Sequence, residues 1–89
     1  MITTQQLQLL KEGNKKAFEA LYRAYNARIY SFVLSMIGDA GVAKDITQDI
    51  FLQIWEKRLN IDLEGNFDGY LFKISQNMVY HYVRRELLL

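Results

Sequence analysis

The residues with the most useful chemistry lie near the C terminus, where cations, rings and amide groups alternate. Lys73, Arg84 and Arg85 can neutralise phosphates. Four aromatic rings fall among them: Tyr70, Phe72, Tyr80 and Tyr82. A ring offers a stacking surface to any unpaired base, and Asn77 and His81, one helical turn apart, can hydrogen-bond to base edges. This combination indicates single-stranded nucleic acid, although rings at this spacing suit a hydrophobic core equally well.

Residues for catalysis or metal binding are scarce. The sequence has no cysteine and one histidine, which excludes thiolate chemistry and a histidine-rich metal site. Asp45 and Asp49 form a carboxylate pair, but acid–base catalysis needs carboxyl groups that are buried or crowded by like charge, and their polar face offers little burial. No glycine-rich phosphate loop or serine-elbow motif is present. We therefore expect a protein that is not an enzyme and that binds no metal or other cofactor.

The overall composition is typical of one small helical domain. The 89 residues include 51% hydrophobic residues, five glycines and no proline, so little interrupts long helices. The net charge of +1 is too small to indicate nucleic acid by itself. No apolar leader follows Met1 and no apolar run is long enough to cross a bilayer, so we expect a soluble, cytoplasmic chain without membrane contact.

The spacing of apolar residues predicts an all-α fold, a compact bundle of about four helices without a β-sheet. The expected helices cover residues 5–12, 15–37, 39–58 and 68–86. Capping residues mark their ends: Thr3, Asn14 and Asp39 before helices, and Gly13 and Gly38 after them. Residues 59–68 combine turn-forming and apolar residues, so this connection should pack partly onto the domain.

Two kinds of stripe run along the long helices. Apolar side chains recur every three or four residues on the second and third helices and predict the core: Phe18, Leu21, Tyr22, Tyr25, Ile29, Phe32, Val33, Met36 and Ile37, then Val42, Ile46, Ile50, Phe51, Ile54 and Trp55. A mainly polar stripe occupies another side of the third helix: Asp45, Gln48, Asp49, Leu52 and Glu56. An acidic surface here and a basic one near the C terminus suggest two different partners, or simply two solvated faces.

The most specific motif is residues 43–58, which read AKDITQDIFLQIWEKR. It resembles region 2.2 of the extracytoplasmic-function (ECF) sigma factors, A-x-D-hydrophobic-x-Q-[DE]-hydrophobic-F followed by a Trp. FEALYRAY at residues 18–25 is similar to the family's F-x-x-L-Y-x-x-Y opening. FDGYLFKISQN at residues 67–77 and YVRR at 82–85 resemble its F-x-x-[WY]-L-[FY]-x-I-[AS]-x-N and Y-[LV]-R-[RK] segments. The resemblance extends over nearly the whole chain.

This resemblance implies that residues 1–89 form a sigma region 2 domain with a role in transcription initiation. The region 2.2 helix of the family docks on the clamp helices of the RNA polymerase β′ subunit. Asp45, Gln48 and Asp49 stand at its polar positions, and Leu52 and Glu56 lie on the same stripe by helical spacing. The expected polymerase-binding set is therefore this stripe.

The resemblance also implies recognition of the promoter −10 element. Family members open the duplex and hold a flipped base of the non-template strand in a pocket formed partly by the loop before the last helix. The candidate base readers in this loop are Asn60, Asp62, Asn66 and Asp68. The last helix supplies the other DNA-binding candidates: Lys73, Asn77, Tyr80, His81, Arg84 and Arg85. His81 replaces what is often an aspartate in the family, which removes a negative charge from the DNA side.

Members of the family also carry region 4, which reads the −35 element and has no counterpart in these 89 residues. We therefore expect one domain of a longer protein, with an anti-sigma factor as an additional partner. The alternative is a helical protein-interaction module, bound by an anti-sigma factor or self-associating, that does not bind DNA by itself. The apolar segment 87–89 would serve such a module, and the sequence leaves the oligomeric state open.

Overall fold

Four α-helices and one 3₁₀ turn make up the computed structural model, which describes residues 2–87. In chain order they are α1 (Thr4–Lys11), α2 (Lys15–Ile37), α3 (Ala40–Glu56), the 3₁₀ turn Arg58–Asn60 and α4 (Phe67–Leu87). No strand occurs within residues 2–87, and the predicted all-α bundle of about four helices is confirmed. Met1, Leu88 and Leu89 lie outside the described residues, and with them most of the apolar segment 87–89.

The helix boundaries follow from capping groups. Thr3 and Gln6 form the predicted capping box: Thr3 Oγ1 accepts from the Gln6 amide at 3.1 Å, and Gln6 Oε1 accepts from the Thr3 amide at 2.9 Å. Asn14 and Asp39 each accept a hydrogen bond from a backbone amide in the first turn of α2 and α3. Gly38 ends α2 with a φ of 79°, a conformation that a side chain would strain.

α2 is the centre of the core, because α1, α3 and α4 all pack against it. Its buried stripe comprises Ala17, Leu21, Tyr25, Ile29 and Val33. The apolar faces of α3 and α4 meet this stripe chiefly through Ile46, Ile50 and Ile54, and through Leu71, Ile74 and Val79. Full burial of one large apolar side chain stabilises a fold by about 1.5–3 kcal/mol, so this single contiguous core holds the helices together.

The apolar arc of α2 is wider than its neighbours cover. Tyr22 and Met36, which the periodicity assigns to the core, are 38% and 44% exposed. Phe18 and Phe32 are half-buried. Three neighbouring helices leave part of the circumference of α2 open, so the margins of its apolar arc remain at the surface.

α3 ends two residues earlier than predicted, at Glu56, and the chain continues as the 3₁₀ turn. Arg58 leaves the helix and places its guanidinium on the ring of Trp55, with Cζ 4.4 Å from the ring centroid. Its Nη1 also donates to the Trp55 carbonyl oxygen at 3.1 Å. These contacts favour a 3₁₀ turn that begins at Arg58, the residue predicted to be the last of the third helix.

The connection from the 3₁₀ turn to α4 packs onto the domain, as expected from its apolar residues. Ile61 and Phe67 are buried at its two ends. α4 begins at Phe67, one residue before the predicted start, because Asn66 Oδ1 accepts from the Gly69 amide at 3.0 Å and so caps the helix. Asp68 therefore belongs to the first turn of α4 and not to the connection.

A polar contact crosses the core between α2 and α4. The Tyr25 hydroxyl donates a hydrogen bond to the Asp68 carboxylate, and the buried Tyr25 ring lies edge-on to Phe67 at 5.9 Å between centroids. Burial, together with the hydrogen bond to Asp68, raises the pKa of Tyr25 to about 12. This bond ties the start of α4 to the middle of α2.

Replacing Tyr25 with Phe keeps the ring and removes the donor to Asp68. We expect the free energy of unfolding at neutral pH to fall by about 1–3 kcal/mol, because a half-buried carboxylate loses its partner. Tyr22→Phe, which changes an exposed ring on the same helix, is the control and should cost less than about 0.5 kcal/mol. Urea unfolding measures both, and equal midpoints for the two variants would contradict the assignment.

The pH dependence separates this hydrogen bond from a packing effect. The folded-state pKa of Tyr25, about 12, lies above its ordinary value of 10.0, so the folded protein holds this proton more tightly than the unfolded chain. The contribution to stability is therefore complete below about pH 10 and is lost as the pH rises through about 12. The stability difference between wild type and Tyr25→Phe should shrink over that interval. If this stability difference instead grew between about pH 10 and 12, the hydrogen bond would not be its cause.

Candidate functional site

α3 presents a mainly polar stripe on a side away from the core. All five residues predicted for docking are exposed: Asp45, Gln48, Asp49, Leu52 and Glu56. The direction of this α3 stripe is set by the buried side of the helix, where Ile46, Ile50 and Ile54 pack into the core. The structure therefore brings the predicted polymerase-binding residues onto one surface.

An apolar groove lies beside the α3 stripe, between the first half of α2 and the second half of α3. This α2/α3 groove has a volume of about 490 Å³. Half of its lining residues are aromatic, and the full set is Lys15, Phe18, Glu19, Tyr22, Gln48, Phe51, Leu52 and Trp55. Phe18 and Trp55 meet edge to face at 5.3 Å between ring centroids, and Tyr22 and Phe51 at 5.0 Å. Gln48 and Leu52 belong to both the groove lining and the stripe, so the groove and the stripe form one continuous surface.

The α2/α3 groove is the part of this surface that the sequence analysis missed. Phe18, Tyr22 and Trp55 recur at core spacing, and helical periodicity alone does not distinguish a buried ring from the wall of a groove. The signal that was available is the width of the apolar arc on α2, which exceeds what a short bundle can cover. One exposed ring, Tyr22, and two half-buried rings, Phe18 and Trp55, therefore adjoin the stripe where core residues were predicted.

The connection between the 3₁₀ turn and α4 forms a second, smaller cavity of about 220 Å³. It is lined by Asn60, Ile61, Asp62, Gly65, Asn66, Phe67 and Tyr70. Three predicted base readers, Asn60, Asp62 and Asn66, thus surround one space. Asp62 Oδ1 accepts from the Glu64 amide at 3.0 Å, and Asn66 Oδ1 caps α4. The turn itself therefore sets the positions of two of these side chains.

Asp68, the fourth predicted base reader, lies apart from this loop cavity. Its carboxylate is half-buried and accepts the hydrogen bond from the Tyr25 hydroxyl. The structure gives Asp68 a part in holding α4 onto α2. The loop cavity is surrounded by the other three candidates only.

α4 exposes all six of its predicted DNA-binding residues: Lys73, Asn77, Tyr80, His81, Arg84 and Arg85. The ring of Tyr80 is 58% exposed, with Arg84 Cζ 5.6 Å and the His81 ring 6.2 Å from its centroid. Arg85 Nε lies 3.4 Å from a Glu86 carboxylate oxygen, which offsets part of its charge. An open ring beside cations is the arrangement that stacks on an unpaired base.

Residues 2–87 contain neither a metal-binding cluster nor a helix that could span a membrane. No three carboxylate or imidazole side chains in this range are grouped so that they could hold a metal ion. None of its helices is long and apolar enough to cross a bilayer. The candidate sites consist instead of exposed side chains, one groove and one small cavity.

A profile of the family described as sigma-70 region 2 matches residues 21–87. The match includes most of α2, all of α3, the loop cavity and α4. The chain belongs to the sigma-70 region 2 family. The surfaces described above are therefore those of a region 2 domain.

Curated relatives of this region 2 domain are ECF sigma factors, which confirms the predicted resemblance. SigW of Bacillus subtilis (strain 168) is 24% identical over 86 residues, covering 97% of this chain and 46% of SigW. SigK of Mycobacterium sp. (strain KMS) is 31% identical over 81 residues, covering 90% of this chain and 42% of SigK. The chain thus spans less than half the length of these relatives.

A solved structure supports the same fold. The NMR structure of an engineered region 2 of sigmaE in complex with GTAAAA matches with a TM-score of 0.85 at 22% identity, covering 98% of this chain and 95% of that chain. At this identity the likeness establishes the fold. The bundle is therefore the sigma region 2 fold.

The α3 stripe should contribute little to the stability of this region 2 domain. Asp45 and Asp49 repel each other one turn apart, and alanine favours a helix more than aspartate does. We expect the double variant Asp45→Ala, Gln48→Ala to unfold in urea within about 0.5 kcal/mol of wild type. Ile50→Ala, the buried control on α3, should lose about 2–5 kcal/mol. If the stripe variant lost as much free energy of unfolding as Ile50→Ala, the stripe would have a structural role.

Proposed function

We propose that this region 2 domain belongs to a transcription initiation factor, with two binding surfaces and no catalytic activity. One surface docks on RNA polymerase, and the other binds the opened promoter −10 element. The observation that carries the proposal is the continuous exposed surface of the α3 stripe and the α2/α3 groove, in a chain of the sigma-70 region 2 family. The domain covers residues 1–89 and acts in the cytoplasm, where a bacterial polymerase works.

The polymerase-facing surface combines charge with an apolar centre. Asp45, Asp49 and Glu56 can pair with basic residues of a partner helix, although one exposed pair contributes only about 0–1 kcal/mol. Leu52, 53% exposed at the edge of the groove, supplies the central apolar contact that usually carries more of the binding energy. A helix that lays apolar side chains in the groove while its cations meet the stripe satisfies both parts. We assign this role to the clamp helices of the β′ subunit.

The same surface supports an inhibitory partner. An anti-sigma factor that covered Leu52 and the groove would exclude the β′ clamp helices by occupying their contact surface. The apolar groove beside an acidic stripe favours a partner with an amphipathic, basic helix. Competition between the two partners for the purified domain follows from this assignment.

The DNA-facing surface has two parts, the loop cavity and the exposed face of α4. At about 220 Å³ the cavity is smaller than small-molecule pockets of roughly 300–1,000 Å³, so it suits one flipped base. Asn60, Asp62 and Asn66 supply hydrogen-bonding groups whose contacts offset the few kcal/mol that unstacking costs. The cations of α4 hold the phosphates beside it. The structural relative solved in complex with GTAAAA supports a short oligonucleotide as the ligand.

The polymerase assignment is tested by the double variant Asp45→Ala, Gln48→Ala. We expect its affinity for a purified β′ clamp-helix fragment to fall at least roughly tenfold, because a charge and an amide are removed from the centre of the stripe. Isothermal titration calorimetry measures both dissociation constants.

A matched control is available on α1. Gln8 and Glu12 are an exposed amide and acid one turn apart, joined by a hydrogen bond of 2.8 Å. Replacing both with alanine removes the same two kinds of group away from the groove, and binding should stay unchanged. Equal affinities for the stripe variant and wild type would overturn the docking assignment.

The DNA assignment is tested with single-stranded oligonucleotides. The domain should enrich a preferred hexanucleotide of non-template −10 type from a random single-stranded library, and its affinity should fall as salt is added. Arg84→Ala together with Arg85→Ala should weaken binding and reduce the slope of log affinity against log salt by roughly 0.7 for each phosphate that is no longer neutralised. Fluorescence anisotropy over a salt series measures both quantities.

Lys15→Ala together with Lys16→Ala is the control for this experiment. It removes the same charge from exposed positions at the start of α2, away from α4. It should change the salt slope much less than the arginine variant. If the affinity for the oligonucleotide changed neither with salt nor in the arginine variant, the DNA assignment would be wrong.

A further inference from the structure

α1 reaches across the domain to the loop that lines the small cavity. Lys11, in the last turn of α1, donates a hydrogen bond from Nζ to the Ile61 carbonyl oxygen at 2.7 Å, across 50 positions of sequence. The Lys11 side chain is half-buried. A bond from an ammonium group is stronger than one between neutral groups, and ordering so flexible a side chain costs entropy. The contact is therefore specific and not a solvated lysine lying on the surface.

The acceptor of this bond is placed where it controls the loop cavity. Ile61 is 3% exposed and is the first residue after the 3₁₀ turn. Its neighbours Asn60 and Asp62 both line the cavity. The Ile61 carbonyl belongs to the peptide unit that continues into Asp62, and this unit is planar. Fixing that oxygen therefore fixes the plane from which the Asp62 side chain departs.

A second contact holds the same turn from the other side. The Arg58 guanidinium lies between the Trp55 ring and the junction of α1 with α2, where a side chain on Gly13 would come within 3.5 Å of Nη2. Gly13 has a φ of 87°, which brings the chain sharply round at that point. The 3₁₀ turn is thus held between α1 and α3, while the polar side chains after it remain exposed.

We propose that Lys11 is a positioning residue for base recognition: it orients the peptide between Ile61 and Asp62 and so sets the shape of the loop cavity, without itself touching DNA. The proposal rests on the proposed function, since it requires that this cavity bind a base. It gives α1, to which the sequence assigns no motif, a role in specificity. A preformed cavity loses less entropy when the base enters it.

The test compares three variants on two ligands. Lys11→Met removes the ammonium and keeps the apolar stem, Lys11→Arg restores a cationic donor, and Lys16→Met removes one exposed charge nearby as the control. The ligands are the hexanucleotide enriched by the wild-type domain and oligo-dT of the same length. We expect Lys11→Met to bind the enriched hexanucleotide roughly tenfold more weakly, with little change on oligo-dT, and Lys11→Arg to recover most of that affinity.

Affinity for the β′ clamp-helix fragment is measured as well. A general loss of structure in Lys11→Met would lower this affinity, whereas loss of a positioning role alone would leave it unchanged. An equal loss on both oligonucleotides, or Lys11→Met binding like Lys16→Met, overturns the proposal, as does failure of Lys11→Arg to restore binding. Should Lys11→Met not fold, Lys11→Leu, which also lacks the ammonium group, takes its place in the same comparison. If the wild-type domain itself enriches no hexanucleotide, the DNA part of the proposed function has failed, which is a different result.

Discussion

The packing of α3 and α4 against the buried stripe of α2 is the contact on which both candidate surfaces depend. A helix that turns one side towards α2 must turn another side outwards, because its side chains are fixed around the axis by the helical period. Burial of Ile50 in α3 and of Leu71 in α4 therefore determines which residues of these helices face outwards. The acidic stripe and the cationic face are thus consequences of core packing, and a change of helix orientation would move both of them.

The two surfaces have opposite chemistry within one small domain. The surface of α3 is acidic beside an apolar groove, and the exposed face of α4 carries cations around an open ring. This difference in charge favours a different partner at each surface, since a surface of like charge repels the wrong partner. The net charge of +1 hides this division, because the two surfaces nearly cancel in the sum.

Local features of the fold could be predicted from sequence, and non-local ones could not. The capping groups Thr3, Asn14 and Asp39 act within three residues of themselves, so their types and spacing predict the helix starts. The contacts of Lys11 with Ile61 and of Tyr25 with Asp68 join residues 50 and 43 positions apart. Such pairs have no periodicity, and only the packed helices bring them together. For the same reason the sequence could predict the polar loop residues only as one group of candidate base readers. The structure was needed to show that Asn60, Asp62 and Asn66 line the cavity, whereas Asp68 contacts Tyr25.

The loop cavity lies between these two long-range contacts. Lys11 holds the beginning of the loop at Ile61, and Tyr25 holds the first turn of α4 through Asp68. Between them the chain is organised by short-range bonds, from the Glu64 amide to Asp62 and from the Gly69 amide to the Asn66 cap. A segment fixed at both ends has fewer conformations to lose when a ligand binds, so more of the contact energy remains available as affinity. The two partly buried polar contacts therefore restrain both ends of the loop that carries these exposed side chains.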